Sequence, residues 1–457
     1  MRFFRIRGIH IPHRKNTAAM SAVRMSPPVS VTIPMSMHIG APCSALVRVG
    51  DTVSVGDVIA QPGGYVSAPI HASISGKIKA IGDFLLSNGN TVPAVTIESD
   101  GEMRLSEKIL PPDVNDYESF IEAVKQSGAV GLGGAGFPTF VKLSVKDLDS
   151  IKTVVINGAE CEPYITSDTR TMLDRSDDIR FGIELLEKYL GVKRIIIGIE
   201  NNKRECVDEM KRINSDDPTV SVVALPASYP QGGEKVLIHN TVGVIVPEGK
   251  LPIDVGVIVL NCTTLAFIAA YIRTGIPLVE KCVTVDGSAV KEPKNVIVPI
   301  GTSIGDVFDF AGGFIEEPNK ILYGGPMMGI SVPSLSDPVL KNTNALIAFN
   351  KKDSVLQKTT PCIRCGSCVS HCPLHLDPRA ISKAVEAEST EKLEKLKVNI
   401  CMECGCCSYA CPAVQPLVQR NRLAKAMLRA KQAKQAEIKK KIQDESDSTG
   451  KESESDD

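Results

Sequence analysis

Two cysteine runs constrain this chain more than anything else in it: Cys362-Ile-Arg-Cys365-Gly-Ser-Cys368-Val-Ser-His-Cys372-Pro373 and Cys401-Met-Glu-Cys404-Gly-Cys-Cys407-Ser-Tyr-Ala-Cys411-Pro412. Both repeat C-x2-C-x2-C-x3-C-P, a spacing used by proteins that carry two [4Fe–4S] clusters. Three closely spaced thiolates wrap one corner of a cubane, and the fourth leaves on a short helix to reach the other cluster. On this logic Cys362, Cys365, Cys368 and Cys411 hold one cluster, and Cys372, Cys401, Cys404 and Cys407 hold the other. Zinc is the alternative, but zinc sites favour paired C-x2-C knuckles, often with His, rather than a triple spacing repeated twice. Cys406 falls outside the spacing that Cys407 keeps, and His371 and His375 are read as neighbours of the loop rather than ligands.

The remaining cysteines, Cys43, Cys161, Cys206, Cys262 and Cys282, are scattered singly through 457 residues. That is not the layout of an extracellular disulfide scaffold, so a reducing compartment is expected. A chain of this length divides into about three or four domains. A net charge of −1, 4% aromatic residues and no Trp give no field or stacking platform for nucleic acid, and no aromatic belt for a membrane. The start MRFFRIRGIHIPHRK lacks the continuous apolar core of a signal peptide. The most apolar later stretch, 255–279, is interrupted by Asn261, Thr263, Thr264 and Arg273, which fits a buried strand and helix better than a membrane span.

The chain reads as multidomain α/β and α+β. Residues 1–110 are β-rich, with short apolar runs (29–33, 45–49, 92–97) punctuated by Gly, Pro and Asp. Residues 115–280 alternate apolar runs (153–156, 194–199, 220–224, 256–260) with helix-like stretches (117–126, 179–189, 203–213), which predicts a largely parallel sheet. A small α+β module follows over 281–345, then the cysteine domain over 350–418. The tail, 419–457, is predicted as a basic helix ending in an acidic segment, DESDSTGKESESDD, too polar to order itself.

Gly131, Gly133, Gly134 and Gly136 lie in GAVGLGGAGFPT. A helix-like stretch rather than a strand precedes them, which is wrong for a dinucleotide fingerprint. So many glycines still let backbone N–H groups close on a phosphate, with Lys142 able to add charge. Downstream, Asn157, Glu160 and Glu162 follow an apolar strand, at the end where open α/β sheets bind ligands. Tyr229-Pro-Gln-Gly232-Gly233-Glu234 is a second glycine turn opening a helix.

In order along the chain, GIHIPHRK, HIGAPCSALVRVGDTVSVGDVIA, VSAPIHASISGKI, GLGGAGFPTFVKL, INGAECEPYITSD, YPQGGEK, YGGPMMG and the two cysteine runs resemble the RnfC family, the NADH-oxidising subunit of the membrane-bound Rnf electron transport complex. The resemblance implies an N-terminal barrel-sandwich domain and a central α/β flavin- and NADH-binding domain similar to the flavin subunit of complex I. It also implies a β-grasp (SLBB-like) domain and a two-cluster ferredoxin-like domain. It implies FMN on Gly131, Gly133, Gly134 and Gly136, with Lys142 near the phosphate and Asn157 near the flavin. Glu160, Glu162, Gly232, Gly233 and Glu234 would help accept FMN or NADH. Partners implied are NADH, the other Rnf subunits and, indirectly, ferredoxin. The place implied is the cytoplasmic face of the cell membrane, as a peripheral subunit whose partners couple electron flow to Na+ or H+ movement. One departure is Arg7-Gly8-Ile9-His10-Ile11-Pro12, where many relatives have GGIHPP. Two other readings stand beside this one: a soluble flavin and iron–sulfur reductase akin to cobalamin reductases, and an electron carrier without NADH chemistry.

Overall fold

The computed structural model of the protein describes residues 8–452, with side chains up to residue 439. It forms two compact units, His10–Leu356 and the chain from Gln357 onward together with Gly8 and Ile9. The outermost residues of both termini, Arg7 of the departure noted above among them, lie outside the described residues.

The first unit begins with a two-residue strand, β1 (Val23–Arg24). A sandwich follows, built from β2 (Ser30–Pro34), β3 (Ser44–Ala45), β4 (Thr52–Val53), β5 (Val58–Gln61), β6 (Ile70–His71), β7 (Gly76–Leu85) and β8 (Thr91–Ser99). Its two sheets run β2-β8-β7-β4 and β3-β5-β6. The two-residue period of a strand sends Val31, Ile33, Ile78, Val95 and Ile97 inward to a common core with Ile59, Ala60 and Ile70.

Next come α1 (Tyr117–Gln126), α2 (Thr139–Leu143), β9 (Thr153–Gly158), α3 (Ser167–Asp174), α4 (Ser176–Leu190), β10 (Ile195–Glu200), α5 (Arg204–Ile213), β11 (Val220–Leu225), α6 (Glu234–Val242), β12 (Val257–Asn261) and α7 (Cys262–Thr274). Helix α1 starts where it does because the Asp116 carboxylate accepts the Ser119 N–H at 2.8 Å. The four strands are parallel in the order β11-β10-β9-β12. Val154, Ile156, Ile195, Ile197, Ile258 and Leu260 share one core with α1, α4 and α7. Val155, Val257 and Val259 share another with Leu237 and Ile238 of α6. A sheet covered on both faces needs unbroken apolar strands, which is why its sequence reads as continuous runs. The chain winds outward from β9 to β11, then crosses to β12 on the other side of β9. The strand order therefore reverses between β9 and β12, and it is at the carboxyl ends of strands at such a switch point that open α/β sheets bind ligands.

The third module contains β13 (Glu280–Asp286), β14 (Lys294–Pro299), α8 (Ile304–Phe310), β15 (Lys320–Tyr323), β16 (Ile330–Ser331) and β17 (Ala345–Phe349). Ile304, Val307 and Phe308 of α8 pack on Val283, Val285, Val296 and Leu346 of the sheet. The edge of that sheet is β1, parallel to β14 with Val23 opposite Val296. The span 1–110 expected as one domain is thus crossed: its first strand belongs to another sheet.

The second unit holds α9 (Ser367–Ser370), α10 (Pro378–Glu386), α11 (Thr390–Lys395), α12 (Cys406–Tyr409) and α13 (Leu417–Glu452). Its two halves repeat in backbone conformation. Left-handed residues recur at an offset of 39 residues, Arg364 with Glu403, Gly366 with Gly405 and His375 with Val414 (403 − 364, 405 − 366, 414 − 375). The cysteines repeat at the same offset. Helix α13 packs Ala424 and Leu428 against Ile381, Leu393 and Val398, so it is part of this domain's core rather than a separate tail. The acidic segment expected to be disordered has a helical backbone to Glu452. Extending an existing helix adds one hydrogen bond per residue without a new nucleus, which overrides the segment's polarity. Among the described residues no helix is long and apolar enough to cross a membrane.

Candidate functional site

The carboxyl ends of β9 and β12 gather most of the residues singled out in the sequence. Asn157, next to last in β9, lies opposite Asn261, the last residue of β12. The glycine loop sits against that edge: a Cβ on Gly133 would stand 2.3 Å from Asn261 Nδ2 and would push Asn261 off its hydrogen bonds to Asp168 and Thr264. Gly134 has open space where a Cβ would project, and Gly136 turns the chain with φ +69°. Gly131 N–H closes the loop on Phe137 O at 2.9 Å. Among the described residues, the amides of Gly133, Gly134 and Ala135 donate to no protein acceptor.

The second glycine turn meets the same strand end. Asn157 Nδ2 donates to Gly232 O at 3.0 Å, while its Oδ1 accepts Ala159 N–H at 3.0 Å. A Cβ on Gly232 would lie 2.3 Å from Ala159 O. Gly233 precedes the first turn of α6, and Glu234 in that turn pairs with Lys142 at 2.9 Å. Lys142 Nζ also donates to Val259 O at 3.1 Å. Two separate candidates for ligand charge, Lys142 and Glu234, are therefore one ion pair.

Glu160 and Glu162 differ from expectation. Both follow the strand end, but both carboxylates turn inward. Glu160 accepts Asp168 N–H and the Thr169 hydroxyl, each at 2.7 Å, at the start of α3. Glu162 accepts the amides of Met327 and Met328 at 3.1 and 2.7 Å, stapling the GGPMM turn of the third module. Burial pushes the Glu162 carboxyl up to about 7, the two amides opposing it. Lys15 Nζ donates to the carbonyls of Glu160, Glu162 and Ile165 at 2.8, 2.8 and 2.5 Å, so the GIHIPHRK segment props this loop from behind.

Residue-by-residue reading missed Asn261 and Asp168. Asn261 caps α7 by accepting Thr264 N–H at 3.1 Å and donates to Asp168 Oδ2 at 2.8 Å. The signal was available: Asn-Cys-Thr-Thr directly after an apolar strand is a helix start.

In the second unit the cysteines line two cavities. One is lined by Cys362, Cys365, Cys368 and Cys411 with Arg364, Arg379, Lys383 and Arg420. The other is lined by Cys372, Cys401, Cys404 and Cys407, with Leu374, Leu376, Val418 and the extra thiol Cys406. Backbone amides point at sulfur in both: Leu376 N–H at Cys372 Sγ (3.3 Å) and, 39 residues on, Gln415 N–H at Cys411 Sγ (3.5 Å). Cys401 Sγ accepts from Glu403 N–H and Asn421 Nδ2, both at 3.4 Å. Donors aimed at sulfur are what metal-bound thiolates need. Among the described residues, no three His, Cys, Asp or Glu side chains converge closely enough for a single metal ion.

Four family descriptions match in chain order: the RnfC barrel sandwich hybrid domain over residues 4–102, the Nuo51 FMN-binding domain over 124–270, the SLBB domain over 282–331 and the 4Fe-4S dicluster domain over 354–412. The C subunit of the Na(+)-translocating ferredoxin:NAD(+) oxidoreductase complex of Acetobacterium woodii is 40% identical over 391 residues, 85% of this chain and 88% of that one. The C subunit of the proton-translocating ferredoxin:NAD(+) oxidoreductase complex of Clostridium ljungdahlii is 41% identical over 380 residues, 82% and 83% of the two chains. The C subunit of the ion-translocating oxidoreductase complex of Rhodobacter capsulatus is 38% identical over 438 residues, 94% and 84%. The chain belongs to the RnfC family, the electron-transferring C subunits of ion-translocating oxidoreductase complexes, with an FMN-binding domain and a 4Fe-4S dicluster domain.

Proposed function

We propose that this chain is the peripheral subunit through which NAD(H) exchanges electrons with the ferredoxin side of a membrane-bound Rnf complex, on the cytoplasmic face. In this reading FMN lies at the carboxyl ends of β9 and β12. The observation that carries it is one chain holding both a glycine loop with open amides against the β9/β12 switch point and two cavities of cysteine sulfurs.

Gly131, Gly133, Gly134 and Gly136 let the backbone approach the flavin nucleotide, and the free amides receive its polar edge. Asn157 and the turn at Gly232 and Gly233 form the opposite wall. Lys142 and Glu234 hold each other until a ligand competes for one of them. Glu160 and Glu162 act from behind, fixing the loop after β9 rather than touching ligand. Bound FMN supplies the exchange between a two-electron hydride and the one-electron steps of iron–sulfur centres. Cys362, Cys365, Cys368 and Cys411 hold one cluster; Cys372, Cys401, Cys404 and Cys407 hold the other. Partner subunits couple the flow to Na+ or H+ movement.

The test is anaerobic isolation with iron and flavin counts, then NADH oxidation with an artificial acceptor. About eight irons and about one flavin per chain are expected from two four-iron clusters and one FMN. Zinc with no visible absorbance, or a loaded protein that leaves NADH untouched, would sink the reading.

A further inference from the structure

The glycine loop is held by groups that come from outside its own domain. Three of its carbonyls, two residues apart, are each tied back. Leu132 O accepts from Lys281 Nζ at 2.5 Å, Gly134 O accepts from Asn342 Nδ2 at 3.2 Å, and Gly136 O accepts from Ile39 N–H at 3.1 Å. Ile39 belongs to the sandwich, Lys281 lies on β13, and Asn342 stands just before β17. Lys281 is 4% exposed, so its ammonium is committed to this contact. Leu132 is gripped from both sides, since its N–H donates to Thr264 Oγ1 at 2.9 Å.

In a planar trans peptide the C=O and the N–H point in opposite directions. Tying down the carbonyls of residues 132, 134 and 136 therefore fixes the direction of the amides of Gly133, Ala135 and Phe137, each opposite its own carbonyl. The Gly133 and Ala135 amides are among those with no protein acceptor. A loop this rich in glycine has no side-chain reason to hold such a pose, and glycine loses more conformational freedom on ordering than any other residue. Outside donors supply the missing restraint and set the loop before ligand arrives.

We propose that Lys281 and Asn342, together with the Ile39 amide, are positioning groups that pre-set the glycine loop's amides for FMN, making the flavin site a joint product of three domains. This rests on the FMN reading above. Asn342 is the sharper probe because it is only half-buried and its hydrogen bond to Gly134 O is solvent-exposed, so its replacement disturbs no core packing.

The experiment uses the full chain with its clusters reconstituted anaerobically. FMN affinity is read by flavin fluorescence and the flavin midpoint potential by redox titration. Asn342→Ala is expected to weaken FMN binding roughly five- to tenfold, the scale of one net hydrogen bond, with cluster absorbance and melting temperature unchanged. Asn342→Asp puts an acceptor against Gly134 O, and should weaken binding further and lower the flavin potential below that of Asn342→Ala. Lys281→Met should act in the same direction; if it fails to fold, the Asn342 pair still decides. Both Asn342 variants binding FMN within about twofold of wild type, at wild-type potential, would overturn the inference while leaving the FMN site intact. A wild-type chain that takes up no FMN would overturn both.

Discussion

The two cysteine cavities share a motif and a backbone, yet sit in opposite surroundings. Cys362 and Cys365 are exposed, and Cys368 and Cys411 half-buried, beside Arg364, Arg379, Lys383 and Arg420. Cys372, Cys404 and Cys407 are buried, in a cavity walled by Leu374, Leu376 and Val418. Spacing decides which thiols can meet; the intervening residues decide how wet and how charged the meeting place is. Because cluster potential follows burial, net charge and hydrogen bonds to sulfur, the ligand sets proposed above would, in these settings, make two different electron carriers.

The largest effect that probes this contrast is the loss of a whole centre. With interleaved ligands, Cys411→Ala should abolish the paramagnetic signal of the exposed cluster and Cys372→Ala that of the buried one, each removing about four of about eight irons. The opposite pairing of signals with variants would collapse the contrast. A smaller effect is expected from oxygen. Brief aerobic exposure with a chelator should strip iron from the Cys362 set first, and loss of both centres at one rate would show that burial does not separate them. The smallest concerns potential alone. Asn421 is buried and donates to Cys401 Sγ. Removing that donor with Asn421→Leu should lower the buried centre's potential by on the order of 1 kcal/mol, which is about 40 mV for one electron, leaving the exposed centre alone. Equal shifts in both would say the bond to sulfur is not what tunes it.

Local features were legible and remote ones were not. The apolar runs at 153–156 and 194–199 became β9 and β10 because a strand buried on both faces has to be apolar throughout. The placement of Asn157 near the strand end and of the second glycine turn ahead of a helix also followed from the pattern. What spacing does not carry is the partner of each side chain. Glu160 and Glu162 stand at the right end of the sheet but face α3 and the Met327–Met328 amides, because Lys15, some 145 residues away in sequence from Glu160, fixes their backbone. Lys281 and Asn342 reach the glycine loop from another module for the same reason. The acidic tail is a different case: its composition argues for disorder, yet α13 carries a helical backbone to Glu452, and the residues beyond lie outside the described ones.

The pairing of β1 with β14 also sets the order in which the chain can finish folding. Val23 meets Val296, and Lys15 meets carbonyls beyond residue 160. On the ribosome the sandwich can close early, but the segment ahead of it must wait for roughly 270 further residues to emerge (296 − 23 = 273). Until then a basic, partly apolar N-terminal strand stays unpaired, exposed to proteases and to strand edges of other nascent chains.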